Sequence, residues 1–369
     1  MTLPPPPGPL DPVAQLERIA FLLEAALEPP YRVKAFRGAA RTLRGLPDGE
    51  VERRSRAGSL TELTGIGEVT ARVVTEALAG EVPVYLRRLE ATEGAPVAEG
   101  TSVAEGTPAA EGTPAAEGTR AILDALQGDC HTHSDWSDGG SPIEEMARAA
   151  IGLGHSYLVL TDHSPRLTVA HGLSAERLRE QLDVLAGLNE ELAPFRILTG
   201  IEVDINLDGT LDQEPELLAR LDVVVASVHS GLRMPAADMT RRMLAAVGDP
   251  HTDILGHCTG RNVSSQGRGG KVRPESQFDA ELVFAACARS NVAVEVNCRP
   301  ERQDPPKRLL RLAVEAGCRV AIDTDAHAPG QLTWQPSGAD RAARCGVTPD
   351  RVVNTLSADD LTAWAAARA

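Results

Sequence analysis

Residues 128–140 read GDCHTHSDWSDGG: a short β-forming run ending in two histidines, His131 and His133, then Asp138 and a pair of glycines. Side chains at i and i+2 of a strand point to one face, so a His-x-His pair at a strand end can chelate. The pattern of a short β-rich run followed by a helical stretch recurs downstream. The runs are YLVLTDH, RILTGIEVDI, DVVVASVH, DILGHC, VAVEVN and VAIDTDAH, and helix-forming segments such as 142–153, 175–192 and 306–316 lie between them. Seven β/α repeats in roughly 250 residues predict an α/β fold closed into a parallel barrel. An open doubly wound sheet is the competing layout.

Six of the seven runs end in residues that ligate metals. The first gives His131, His133 and, shortly after, Asp138; the others give His163, Glu202, His229, His257, and the pair Asp325 and His327. In a parallel barrel all C-terminal strand ends open on one face, so these nine side chains would converge in one cleft. A lone histidine at a strand end is usually a hydrogen-bonded turn or core residue. Six histidines and three carboxylates at corresponding ends predict a polynuclear metal site instead, with a mixed donor set that suits Mn, Zn or Fe. Of the remaining histidines, His155 and His251 read as structural. His171, on a loop over the same face, is a candidate for substrate contact.

The rest of the composition narrows the function. Formal charge is −15, so nucleic-acid binding requires a local basic patch. The six cysteines include no C-x-x-C pair, which argues against a disulfide framework or a zinc–thiolate knot and suits a reducing cytoplasm. No apolar run approaches the ~20 residues of a membrane span. The start, MTLPPPPGPLDP, lacks the features of a signal peptide. GRGGK at 267–271 lacks phosphate-loop spacing, with Val272 after the lysine, and GTSVAEG belongs to a repeat rather than to a serine elbow.

That repeat divides the chain. Residues 96–119 read PVAEGT, SVAEGT, PAAEGT, PAAEGT, with no large apolar side chain. Such a segment cannot offset its ordering entropy by burial, so 91–119 is expected to be a disordered linker with a flexible span of roughly 25–30 Å. Ahead of it, 11–90 show helical periodicity in VAQLERIAFLLEAALE and YRVKAFRGAARTLRGL; behind it lies the barrel, 120–369. Residues 31–56 carry eight Arg/Lys against three acids, and TGIGE, at 64–68, is a short Gly-hydrophobic-Gly turn opening a helix. Backbone N–H groups of such a turn can receive a DNA phosphate.

HTHSDWSDG, LTDHS, GIEVDI, SVHSG, GHCTGR and DTDAH resemble the motif set of the PHP (polymerase and histidinol phosphatase) superfamily over about residues 120–369. The resemblance implies a distorted (β/α)7 barrel with up to three divalent metals. It assigns His131, His133, Glu202 and Asp325 to one metal, Glu202 bridging to a second held by His229 and His257. Asp138, His163 and His327 would hold the third. Asp162 is a candidate acceptor orienting a ligand histidine. The barrel is more closely similar to the PHP domain of bacterial family X DNA polymerases. The N-terminal segments YRVKAFRGAARTLRGLP and LTELTGIGEVTARVVTEAL look like the helix-hairpin-helix domain of those enzymes. Lys34, Arg37, Arg41, Gly65 and Gly67 are the DNA-binding candidates. Two departures matter. The nucleotidyltransferase region is absent, which excludes polymerase activity. Val69 and Val73 stand where the lyase family of DNA polymerase beta has lysines, and Arg72 cannot form a Schiff base.

The resulting expectation is a metal-dependent phosphoesterase acting on DNA ends or gaps. It would be a 3′-5′ exonuclease or 3′-phosphatase in DNA repair, with a metal-bound hydroxide attacking phosphorus. Catalytic candidates are Glu202, Asp325, His327 and His171, with Arg261 and Arg299 as phosphate binders; Lys271 reads rather as a solvated surface residue. The alternatives are a small-molecule phosphatase of the histidinol-phosphatase type and a non-enzymatic DNA-binding adaptor, against which the filled ligand set argues.

Overall fold

A computed structural model describes residues 8–93, 112–264 and 272–367. They form two compact units, residues 8–93 and residues 112–367.

The first unit is all helical: α1 Pro12–Ala25, α2 Pro30–Arg44, α3 Glu50–Ala57, α4 Glu68–Leu78 and α5 Val84–Glu93. The Asp11 side chain accepts from Val13 N (2.9 Å) and Pro12 opens the helix, so α1 starts at a cap written into the sequence. Leu16, Ile19, Ala20 and Leu23 of α1 meet Phe36, Ala40 and Leu43 of α2 in one core, the apolar residues recurring every three or four positions. The turn between Leu63 and α4 needs Gly65. Its φ is +84°, and a Cβ there would stand 3.4 Å from Thr42 Oγ1 on α2.

The repeat requires a correction. Residues 94–111 of the expected linker lie outside the described residues. The last PAAEGT unit, however, is not coil: it forms the first turns of α6, Pro114–Ala125. Thr113 accepts from Ala116 N (3.3 Å) and Pro114 takes the first helical position, while the following RAILDA buries Ile122. Gly118 lies close against Ala343 of the helix Gln335–Ala343. The linker composition is helix-compatible once an apolar anchor lies downstream, which a reading of the repeat by itself overlooks.

The second unit is built on seven parallel strands, paired in sequence order: β1 Gly128–Thr132, β2 Tyr157–Leu160, β3 Arg196–Asp204, β4 Val223–Ser227, β5 Ile254–Leu255, β6 Ala293–Asn297 and β7 Val320–Asp323. They match the seven sequence runs. Helices including Ile143–Gly152, Ala175–Leu192, Ala236–Gly248, Ala280–Arg289 and Lys307–Glu315 connect them. The ring is nearly closed between β7 and β1. Thr132 bridges Ala326, His133 N donates to Ala326 O (2.8 Å), and Cys130 N donates to Asp323 Oδ1 (2.9 Å). Asn354 completes the seam by donating to the carbonyls of Gly128 (3.3 Å) and Ile322 (3.2 Å). Side chains thus do at this seam what a ladder does elsewhere, which is the distortion of the barrel.

Alternate residues of each strand face inward, and along those rows the chemistry changes from one end to the other. Tyr157, Val159, Leu198, Val223, Val225 and Ala321 pack together at the N-terminal end, where Leu361 and Trp364 of the last helix, Ala358–Ala366, cover them. Continued by even steps, the same rows reach His163, Glu202, His229 and Asp325. In β1 the register shifts between Asp129 and Thr132, so Cys130 joins the apolar layer while His131 and His133 join the ligands. No described helix is long and apolar enough to cross a membrane.

Candidate metal centre

The nine ligand-type residues selected from the sequence meet at the C-terminal ends of the strands. Glu202 is the hub and is buried. Its Oε2 lies 3.3 Å from His131 Nε2, 3.6 Å from His133 Nε2 and 2.9 Å from His163 Nδ1. Its Oε1 lies 3.2 Å from His229 Nε2 and 2.7 Å from His257 Nε2. Asp325 Oδ1 is 3.4 Å from His133 Nε2, and Asp138 Oδ1 is 3.5 Å from His163 Nε2 and 3.2 Å from His327 Nε2. Three sets have donor atoms within 4.8 Å of one another: His133, Asp138, His163 and His327; His131, His133 and Asp325; His163, Glu202 and His229.

Much of this contact is not hydrogen bonding. Buried and without a hydrogen-bond partner among the described residues are His131 Nε2, both ring nitrogens of His133 and of His229, Nδ1 of His163 and of His257, and Glu202 Oε2. A buried polar atom left unsatisfied costs about 1–3 kcal/mol, and native interiors hold few. So many in one cluster, all on imidazoles or a carboxylate, fit divalent cations as the missing partners.

The electrostatics agree. Burial pushes Glu202 and Asp325 up, but positive neighbours outweigh it and hold both well below the usual carboxylate range. Those neighbours are His229, His131 and His163 for Glu202, and Arg299 and Arg302 for Asp325. Both are therefore ionised, as ligands must be. His133 is pushed well down by burial and then by His327 and His163, which keeps its ring neutral. His163 moves the other way, to about 10, because Glu202 and Asp138 outweigh the effect of burial. The centre attracts positive charge, and protons and cations compete for it.

Three supporting residues escaped the sequence reading. Glu295, fully buried on β6, accepts from His131 Nδ1 (2.6 Å) and from the backbone N of His257, orienting two ligands at once. Its signal was a glutamate amid the apolar run VAVEVN. Asp204 accepts from His229 N (3.1 Å) and lies 3.4 Å from His229 Nδ1. It stands two residues after Glu202 in GIEVD, the i, i+2 relation already used for the histidines. Arg302 places Nε 3.1 Å from Asp325 Oδ2.

Other expectations are revised. Asp162 orients no imidazole. It accepts from Ser134 N (2.8 Å), Ser134 Oγ (2.6 Å), Ser137 Oγ and Gln181 Nε2 (2.7 Å), and so pins the loop between His133 and Asp138. Arg261 is not turned to the centre: Nε donates to Arg302 O (3.0 Å), Nη2 to Gln303 O, and Nη1 pairs with Glu275 (3.6 Å). Arg299 is at the centre but already engaged, donating to Asp325 O (2.7 Å) and Glu301 Oε1 (3.0 Å), with His327 Nδ1 2.9 Å away. His171 is exposed in a left-handed backbone position, and Arg177 binds its carbonyl (2.7 Å). His251 pairs with Asp249 (2.9 Å), as a structural histidine should. Lys271 lies outside the described residues.

In the helical unit, Arg37 is removed from the DNA-facing set. It makes a two-point bond to Glu24 of α1, Nε to Oε1 (3.0 Å) and Nη2 to Oε2 (2.9 Å), in a largely buried position. Arg44 pairs with Glu17, and Arg32 with Glu28 and Tyr85. Lys34 and Arg41 remain exposed on α2. With Gly38 and Thr42 they follow the helical repeat that carries the Gly65 turn. Gly67 precedes α4, and its N–H is taken by Thr70 Oγ1 (3.0 Å).

Comparison with known proteins agrees with this architecture. Residues 10–82 match a helix-hairpin-helix domain and residues 129–297 a PHP domain. The chain is 39% identical over 242 residues to the DNA polymerase/3′-5′ exonuclease PolX of Bacillus subtilis, an alignment covering 66% of this chain and 41% of that protein. It thus spans about two fifths of that relative's length. It is 29% identical over 238 residues to a probable phosphatase of a Thermoanaerobacter species, covering 62% of this chain and 89% of that one. A solved structure of histidinol phosphate phosphatase from Lactococcus lactis aligns at TM-score 0.44 and 19% identity, over 60% of this chain and 94% of the other. The chain is a PHP-domain protein with an N-terminal helix-hairpin-helix domain, and it resembles the polymerase relative without the polymerase core.

Proposed function

We propose that the chain is a metal-dependent phosphoesterase acting on DNA ends, as a 3′-5′ exonuclease or 3′-phosphatase in DNA repair. The observation that carries the reading is the convergence of nine ligand-type side chains on Glu202 with unpartnered lone pairs between them. His131, His133, Glu202 and Asp325 would hold one ion. Glu202 would also help hold a second with His229 and His257, and Asp138, His163 and His327 would hold a third. His163, close to both Glu202 and Asp138, stands between the second and third groups. Divalent ions held there would supply a water activated at neutral pH and neutralise charge on the phosphate. The protein's own part is orientation: Glu295 fixes His131 and His257, Asp204 fixes His229, and Asp162 fixes the loop bearing Asp138.

The helical unit supplies the DNA. Lys34 and Arg41 offer cations to phosphates, and the start of α4 behind the glycine turn offers backbone N–H groups, without reading sequence. α4, EVTARVVTEAL, contains no lysine, and Val73 is buried, so Schiff-base lyase chemistry has no nucleophile on that helix. A DNA-gripping unit on the same chain raises the effective concentration of ends around the barrel. The second reading is a small-molecule phosphatase, favoured by the near full-length match to probable phosphatases.

The test is a time course with Mn²⁺ on a gapped duplex carrying a 3′-phosphate, beside a 5′-phosphorylated control and histidinol phosphate. Loss of the 3′-phosphate or shortening from the 3′ end is expected. Turnover confined to histidinol phosphate would select the second reading, and shortening only from the 5′ end would reverse the polarity.

A further inference from the structure

An arginine beside the ligands could add two directed donors to the phosphate, but the arginines chosen from the sequence are otherwise engaged. Arg261 has all three guanidinium nitrogens committed, to two backbone carbonyls and Glu275. Arg299 is buried, with Nη1 on Asp325 O and Nε and Nη2 on Glu301. Arg273 donates Nε to Gly260 O.

Arg302 differs from Arg261 and Arg299, and unlike Arg273 it is paired with one of the ligand-type residues. It lies on the loop after β6, on the face where the ligands meet. Its Nε is held by Asp325 Oδ2 at 3.1 Å, and the side chain keeps 21% of its surface exposed. Among the described residues, Nη1 and Nη2 have no hydrogen-bond partner. The backbone beneath it is fixed, because Arg261 binds the Arg302 carbonyl and Arg302 N donates to Arg299 O (3.0 Å). The guanidinium therefore stands beside Asp325 after the end of β7, paired through one nitrogen, with two more nitrogens in hand. A guanidinium fork suits two oxygens of one phosphate.

We propose that Arg302 is the phosphate-binding cation of this site, oriented by Asp325 and donating through Nη1 and Nη2 to non-bridging oxygens of the substrate. This rests on the phosphoesterase reading above. It goes beyond that reading in assigning to Arg302 the role expected of Arg261 and Arg299.

The experiment uses the full chain loaded with Mn²⁺. Inorganic phosphate and thymidine 3′-monophosphate are titrated by calorimetry against the parent, Arg302→Gln, Arg302→Lys and Arg261→Gln, with bound metal measured on each sample. Loss of a charge-assisted hydrogen bond predicts about 10- to 100-fold weaker phosphate binding in Arg302→Gln. Arg302→Lys should recover part of it, and metal content should equal the parent's in both. Arg261→Gln should lower thermal stability and cost less phosphate affinity than Arg302→Gln does. Unchanged phosphate affinity in Arg302→Gln overturns the assignment, as does metal loss in proportion to affinity loss, which would make Arg302 a support for Asp325. A parent that binds neither probe and hydrolyses no phosphoester would instead sink the phosphoesterase reading itself.

Discussion

Two sets of charged residues, one in each unit, look equally purposeful in the sequence and fare differently in the structure. The basic segment 31–56 of the helical unit is counted as a DNA-binding stripe, yet Arg32, Arg37, Arg44, Arg53 and Arg54 all find carboxylates within their own unit. The histidines and acids of the barrel do the opposite: they gather, and ring nitrogens of His131, His133, His163, His229 and His257 lack a hydrogen-bond partner among the described residues. The difference is topological. Alternation along a parallel strand fixes where each ligand points, so nine positions read from sequence land in one cluster. On a helix, an arginine's partner can lie on another helix, as Glu24 does for Arg37, and local counting cannot see it. Net local charge is therefore weak evidence for a binding face, whereas matched positions at strand ends are strong evidence for a site.

Breaking the barrel side of the comparison should give the largest effect. Glu202→Gln removes the carboxylate charge that all three metal groups feel, directly or through His163. Hydrolysis should fall to background while circular dichroism still reports a folded barrel, with bound metal reduced. Retained activity in a folded, metal-poor variant would remove the basis of the comparison.

Glu295→Gln sharpens it. The glutamine can still touch His131 and His257 but carries no charge to fix their orientation. Loss of a partner of this kind typically costs 10- to 100-fold in metal affinity, measurable by titrating the apoprotein with Mn²⁺. An unchanged affinity would make Glu295 a packing residue.

The helical side is tested by two arginines of α2, four residues apart, that share an expected role but differ in fate. Arg37→Ala removes the two-point partner of the buried Glu24 and should cost roughly 3 kcal/mol of stability in the helical unit. Arg41→Ala should leave the melting temperature in place and lower the slope of log affinity for duplex DNA against log salt by about one contact. Equal effects of the two substitutions on DNA binding at equal stability would restore the charge-count reading.

The smallest effect belongs to the repeat. Removing residues 102–107 should leave melting temperature and phosphoester turnover as they are. Replacing 114–119 with a Gly/Ser run should destabilise the barrel, because it removes the sequence of the first turns of α6. Equal tolerance of both changes would argue that α6 contributes nothing to the barrel.

Much of the fold was legible in advance. The seven β runs, their order and the direction of their ligand ends follow from length, β-branched content and alternation. What stayed hidden depended on partners far away in sequence. Asn354 closes the β1–β7 seam from more than two hundred residues beyond β1, with no motif to announce it. Arg261 and Arg299 looked available because nothing local shows that Glu275, Glu301 and backbone carbonyls occupy them. Glu295 was overlooked because its run lacks a terminal ligand. A buried glutamate in an apolar strand is itself a signal, since such a charge needs a positive or donor partner.

The central claim is that the nine residues form one polynuclear centre that hydrolyses phosphate esters. Its most direct test is metal stoichiometry measured alongside turnover. The chain is stripped with chelator, and Mn²⁺ is returned in steps while bound metal per chain and hydrolysis of a chromogenic phosphodiester are followed on the same samples. The account predicts more than one ion per chain, with turnover appearing only as the later ions bind, and neither in Glu202→Gln. Full turnover with one ion bound or none would contradict it.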